Sequence, residues 1–358
     1  MRLLAPQPFG RLRPPTLGVV LILAGMWFVA PRTALACDMC AIYTATELQE
    51  TRTGLRAGVA EQYTRFGRLQ ENGVEVPNVI DQHINSSITQ LIFGYVPIPR
   101  LGLQVNVPVI DRSFRRSGGT GVQTGDVAGF GDLSLVASGL AYSLVTENML
   151  LRLTGLFGLK LPSGNPSQLQ QELATPTPTP DPCAGIPQPF CHPTAQAMHA
   201  RHTTITNGIP SAVHGHDLAL GSGSTDVIFG GQGLWTWKRL YGTAALQYVV
   251  NTTGAFDYRY ANGLNVGGTV GGFAFLEHDF TLGFEAVLTC ETKGNDTVNG
   301  QPETDTGLTA LYAGPGVRFT WGSTLSAEVV GDIPAIENNS GFQVVPSYRV
   351  RGGLVWRF

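Results

Sequence analysis

The strongest constraint on this chain is the rhythm of its apolar runs. From residue 51 onward about twelve segments, most of roughly ten or more residues, alternate apolar and polar positions with period two, as half-buried strands do. They are read at 52–66, 80–97, 100–110, 132–145, 149–161, 218–237, 240–251, 264–276, 279–290, 308–320, 324–333 and 345–358. The links between them alternate as well. Long polar segments such as 67–79, 111–131 and 291–307 follow the odd strands. Tight turns around Ile98-Pro99, Thr146-Glu147-Asn148, Lys238-Arg239, Glu277-His278 and Trp321-Gly322-Ser323 follow the even ones. A secreted sandwich has no reason to sort loop length by parity. A transmembrane barrel does, with long loops on one side and short turns on the other.

The faces of the strands agree. In the last strand Val350, Gly352, Leu354, Trp356 and Phe358 share one face, and Arg349, Arg351 and Arg357 lie on the other. Leu151, Leu153, Phe157, Leu159 and Leu161 oppose Arg152, Thr154 and Lys160; Leu101, Leu103, Val105, Val107 and Val109 oppose Gln104 and Asn106. Lipid supplies no hydrogen bonds, so such strands satisfy their backbone only by closing into a barrel. Outward apolar and inward polar residues follow. The expected fold is all-β: a transmembrane antiparallel outer-membrane β-barrel of about twelve strands over 52–358.

The N-terminus is consistent with export. Arg2, Arg11 and Arg13 precede the apolar run 17–30, and Ala34-Leu35-Ala36 supplies small residues for cleavage, so 1–36 reads as a signal peptide. A retained helical anchor or a lipidated Cys37 are the alternatives. After it no apolar stretch is long enough to cross a membrane as a helix. Charged residues make up only 14% of the chain and the net charge is −3, which argues against a nucleic-acid partner. The expected location is the outer membrane of a Gram-negative-type cell, with membrane lipid around the wall. The C-terminal Phe358, sharing a face with Trp356, resembles the signal read by the barrel assembly machinery.

Three segments carry a family resemblance: Gly129-Phe130-Gly131-Asp132-Leu133-Ser134-Leu135, Gly158-Leu159-Lys160-Leu161-Pro162-Ser163-Gly164-Asn165, and 218–226, which contains Gly221, Ser222, Gly223 and Asp226. Their order resembles the outer-membrane proteins grouped as the MetA pathway of phenol degradation, which look distantly similar to FadL-type transporters. The resemblance implies passive passage of small organic solutes, including hydrophobic or aromatic ones, and carries no catalytic residues. The long insertion 162–217 departs from that pattern. Read by themselves, Asp132 and Asp226 are turn-capping residues at the rim.

Candidate site residues fall into three sets. The inner face is expected to hold Arg56, Arg152, Lys160, Arg318, Arg349, Arg351 and Arg357 against Glu285, Glu328 and Asp332. A surplus of cations would select anions in an aqueous bore, whereas salt bridging would rigidify the wall. The insertion contains Cys183, Cys191, His192, His199, His202, His214 and His216, usable by a transition metal on an external loop, although no standard finger spacing is present. Otherwise the loop folds inward as a lid, with Cys183–Cys191 as a disulfide. Cys37 and Cys40 form a Cys-x-x-Cys pair, as a disulfide or soft-metal site, in a segment 37–51 that could plug the periplasmic mouth; Ala41 rules out covalent haem there. His214-Gly215-His216-Asp217 is the one local cluster of catalytic type, but no nucleophile stands at a recognisable spacing, so no enzymatic activity and no resident cofactor are expected. The expected function is a passive channel for small organic solutes. Metal binding through the His/Cys loop, or a structural barrel without transport, are the alternatives.

Overall fold

The computed structural model describes residues 53–118, 121–173 and 209–358. Twelve antiparallel strands form the wall: β1 Gly54–Glu71, β2 His83–Ile98, β3 Leu101–Gly118, β4 Leu133–Val145, β5 Met149–Leu161, β6 Asp226–Trp237, β7 Leu240–Val250, β8 Gly263–Leu276, β9 Phe280–Lys293, β10 Leu308–Trp321, β11 Leu325–Asn339 and β12 Phe342–Arg357. Each pairs with its sequence neighbours, and β12 returns to β1, from Arg56 opposite Arg357 to Glu71 opposite Phe342. Closure removes the exposed edge that an open sheet would leave in lipid.

Every strand read from the sequence is present, but several run further. The stretch 111–131, expected as a loop, is a hairpin: β3 continues to Gly118 and the chain returns along it as Gly121–Phe130. β1 and β11 likewise extend past residues 66 and 333. Above the lipid the outer face need not be apolar, so the period-two signal fades while the ladder continues. The reverse correction holds at 218–225. Leu218-Ala219-Leu220 alternates like a strand, yet β6 starts only at Asp226 and these residues are buried beside the barrel wall.

The hairpin returns into β4 through a bulge. Phe130 pairs with Val109 and Ser134 with Asn106, so one extra residue is absorbed at Gly131-Asp132. The outer face carries exposed Leu55, Val59, Leu91, Leu103, Leu153 and Leu288, flanked at the short-turn end by Tyr95, Trp237, Trp321, Trp356 and Phe358. Aromatic rings favour the membrane boundary because one end is apolar and the other tolerates water. Glu61 is an exception on this face: it follows the parity of Val59 and Tyr63, and its carboxylate accepts hydrogen bonds from Ser87 and Thr89. No helix among the described residues is long and apolar enough to cross a membrane.

Candidate functional site: the barrel interior and its inserted plug

Strand parity turns every charged residue expected inside onto the inner face. At the short-turn end, Arg56 is buried and donates to Gln104 Oε1 at 3.2 Å, and Gln104 passes a hydrogen bond to Asn106 at 2.6 Å. The guanidinium stem lies where a side chain on Gly94 would sit; a Cβ there would collide with Arg56 Nε. Arg357 donates to Ser326 Oγ at 3.1 Å. Arg152 shares the inner face with buried Thr154 and Leu156.

Midway, a cavity of about 160 Å³ opens into the lumen. Gln62, Gln90, Gln232, Gln247, Asn265 and Thr269 contribute amides and a hydroxyl to its lining, and Glu285, Arg318, Glu328 and Arg351 contribute charges. Those charges are matched. Arg318 bridges Glu328 at 3.0 Å and Glu285 at 3.4 Å, while the Tyr241 hydroxyl donates to Glu285 at 2.9 Å. Further up, the wholly buried Arg349 guanidinium bridges Asp332 at 3.0 Å and Glu291, and stacks 3.8 Å above the Tyr312 ring. Arg351 reaches the other Asp332 oxygen at 2.6 Å. The expected cation surplus is therefore largely compensated. Glu291, which sequence parity also places inside, is one partner that the reading from residue types overlooked.

Asp132 and Asp226 are more than rim turns. Lys160 lies 2.6 Å from Asp226 and 3.8 Å from Asp132. Asp132 also accepts backbone N–H bonds from Gly164 at 3.0 Å and Ser222 at 2.8 Å, and a 2.6 Å bond from the Ser222 hydroxyl. Ser163 joins in, donating to the Gly131 carbonyl at 3.1 Å and accepting from the Leu133 N–H at 2.8 Å. The three Gly-rich segments singled out in the sequence thus meet at one clasp, where the insertion leaves β5 and returns to β6. Gly164 and Gly221 touch there so closely that a Cβ on Gly221 would lie 2.6 Å from Gly164 backbone carbon. Only glycine permits that approach.

Beyond the clasp the insertion folds inward. A 3₁₀ turn at Ser167–Leu173 and a short helix at Gly215–Leu218 form a plug against the inner wall. Ala212, Val213 and Leu218 pack on Leu69, Ile84 and Val344, and Leu169 packs with Ala219, Tyr258, Tyr260 and Val298. Polar ties complete the seat: Arg112 on β3 donates to the Asp217 and Ala219 carbonyls at 2.7 and 3.2 Å, satisfying the free end of the helix. Gln82, fully buried, donates to Pro210 and accepts from Ala212, both at 3.0 Å.

The plug carries a buried histidine pair. His216 Nδ1 lies 3.0 Å from Glu172 Oε1, and its Nε2 lies 3.3 Å from Asp217 Oδ1. Burial opposes charge on this ring, but the Asp217 and Glu172 carboxylates overcome it and hold the imidazole above its ordinary pKa; Glu172 is held below its own, burial being outweighed by His216. The neighbouring His214 ring is also buried, and neither nitrogen makes a hydrogen bond; Asp305 Oδ2 stands 3.4 Å from Nε2.

No protein-family model matches the chain, and no curated protein does. Among solved structures, the chain is similar to the COG4313 outer membrane channel from Pseudomonas putida F1, with 15% identity, a TM-score of 0.53, and coverage of 88% of this chain and all of that one. The β domain of the Bordetella autotransporter BrkA matches at 9% identity and a TM-score of 0.39 over 86% of this chain and all of that one. The NanC porin matches at 9% identity and 0.36 over 84% and 100%.

The fold is that of an outer-membrane β-barrel. In such a barrel the short turns face the periplasm and the long connections face outward, which puts the plug in the external mouth. Cys37, Cys40, Cys183, Cys191, His192, His199 and His202 lie outside the described residues, as do the expected signal peptide and N-terminal segment. Cys290 carries a free thiol on the outward parity of β9.

Proposed function

We propose that this barrel is a passive outer-membrane channel for small organic solutes, with no enzymatic activity. The observation that supports it most is the lumen cavity of about 160 Å³, which offers room for several water molecules or a small solute. A purely structural barrel of this size could fill its bore with its own side chains. Here glutamines, asparagine and threonines line open space instead. Their neutral donors and acceptors, beside charges already compensated by one another, favour neutral hydrogen-bonding solutes over free ions. The likeness to the COG4313 channel, and through the Gly-rich segments to the MetA-pathway family, points the same way. Aromatic solutes with a hydroxyl fit both.

Planar-bilayer recording and liposome swelling test the reading on the folded mature chain. Small conductance steps of weak ion selectivity, with swelling by neutral solutes, are expected. A folded barrel that neither conducts nor admits solutes would overturn it in favour of a structural role.

A further inference from the structure

The external plug contains an arrangement that the channel reading does not use. His214, His216 and Asp217 each present a ligand atom, and these atoms lie within 4.8 Å of one another. A tetrahedral zinc shell, with bonds of about 2.0–2.1 Å, would draw such atoms to about 3.4 Å apart. The adjustment is of side chains, since His214 is the N-cap of the Gly215–Leu218 helix and His216 and Asp217 lie within its single turn.

Three further observations point to a ligand rather than to a satisfied core. First, the His214 side chain is 3% exposed, yet both ring nitrogens lack a hydrogen bond, and they face Asp217 and Asp305 at 3.7 and 3.4 Å. Leaving such a group unsatisfied is costly, and a metal would use one nitrogen directly. Second, Glu172 receives Nδ1 of His216 at 3.0 Å and the His216 backbone N–H at 2.7 Å. That leaves Nε2 as the ligand nitrogen, turned to within 3.3 Å of Asp217. A carboxylate behind a ligating histidine is the usual outer support of a metal site. Third, Glu172, Asp217 and Asp305 surround the two imidazoles, while the nearby Lys293 is engaged by Asp296 at 2.8 and 3.0 Å.

We infer that His214, His216 and Asp217 form a site for a first-row divalent cation such as zinc, with Glu172 orienting His216 and Asp305 available as a further oxygen donor. None of Cys183, Cys191, His192, His199 and His202 belongs to this ligand set. Bound there, the ion would join the plug helix to the 3₁₀ turn through Glu172 and to the β9–β10 connection through Asp305, fixing the plug in the mouth. The inference does not depend on whether the barrel conducts.

The test uses the full mature chain, folded, stripped with chelator and titrated with zinc chloride, then with cobalt(II) as a spectroscopic probe. One zinc per chain is expected. Stoichiometric binding is expected to persist when Cys183, Cys191, His192, His199 and His202 are all replaced by serine or asparagine. In that background Asp217→Asn and His216→Ala weaken it at least tenfold, and Glu172→Gln about tenfold. His214→Cys keeps binding and adds a thiolate-to-cobalt charge-transfer band, which reads the ligand set even if an alanine variant folds poorly. Absence of zinc binding by the folded barrel would overturn the inference. So would its loss in the five-residue variant, or its survival unchanged in His214→Ala/His216→Ala.

Discussion

Lys160 and Asp226 are direct cross-strand partners on β5 and β6, and their charged ends meet at 2.6 Å with the Asp226 side chain wholly buried. Asp132 approaches the same ammonium at 3.8 Å while its oxygens hold Gly164 and Ser222. One lysine therefore sets the position of both aspartates, and the aspartates set the two ends of the insertion.

Removing half of this pair strands a buried charge. Lys160→Met is expected to lower unfolding stability by about 3–5 kcal/mol, and Lys160→Met/Asp226→Asn to recover a large part of it. Urea titration of the folded barrel in lipid vesicles, read by tryptophan emission, measures both. Equal losses in the single and double variants would show that Lys160 matters only for packing.

Arg318 stands between Glu285 and Glu328 in the cavity wall. Arg318→Gln leaves two carboxylates facing the lumen without their cation. The reversal potential under a potassium chloride gradient is expected to move toward cation selectivity. A shift toward anions would contradict the assignment of these groups to the conducting path.

Arg112 ties β3 to the carbonyls of Asp217 and Ala219. Hydrogen bonds from a charged donor contribute about 1.5–3 kcal/mol each, so Arg112→Ala is expected to loosen the plug without opening the wall. Faster liposome swelling and quicker proteolysis within the insertion, with unchanged heat-modifiable mobility of the barrel, are the expected readouts.

Glu61 lies on the outward parity of β1, and the Ser87 and Thr89 hydroxyls donate to its carboxylate. Charged groups on this face cost up to about 2–4 kcal/mol for cations at mid-membrane and less for carboxylates. Glu61→Leu is expected to raise barrel stability by about 1 kcal/mol. A fall of that size in the same urea titration would assign the Glu61 hydrogen bonds a net stabilising part.

The strands and their inward faces were legible because lipid imposes an alternation that the side chains must obey. Arg56, Glu285, Arg318 and Arg351 could each be turned inward by counting residues. The outer hairpin from Leu101–Gly118 to Gly121–Phe130 was not legible, since one face meets the plug through Arg112, Phe114 and Val127, the other stands beyond the lipid, and Arg112, Ser113, Arg115 and Arg116 follow no hydrophobic period. Leu218-Ala219-Leu220 misled for the converse reason. Its apolar side chains are buried within the plug and against the wall, and a short apolar run reads alike in either setting.

The class is written along the chain: twelve alternating runs, loops sorted by length and charged side chains turned to the lumen, as a solvent that offers no hydrogen bonds requires. Which charges meet is a matter of closure and docking. Asp132, Glu172, Asp226, Glu291 and Asp305 are far in sequence from the groups they hold, and a carboxylate's partner is fixed by close approach in space. No periodicity along one strand encodes such distances. They arise when the barrel closes and the plug docks inside it.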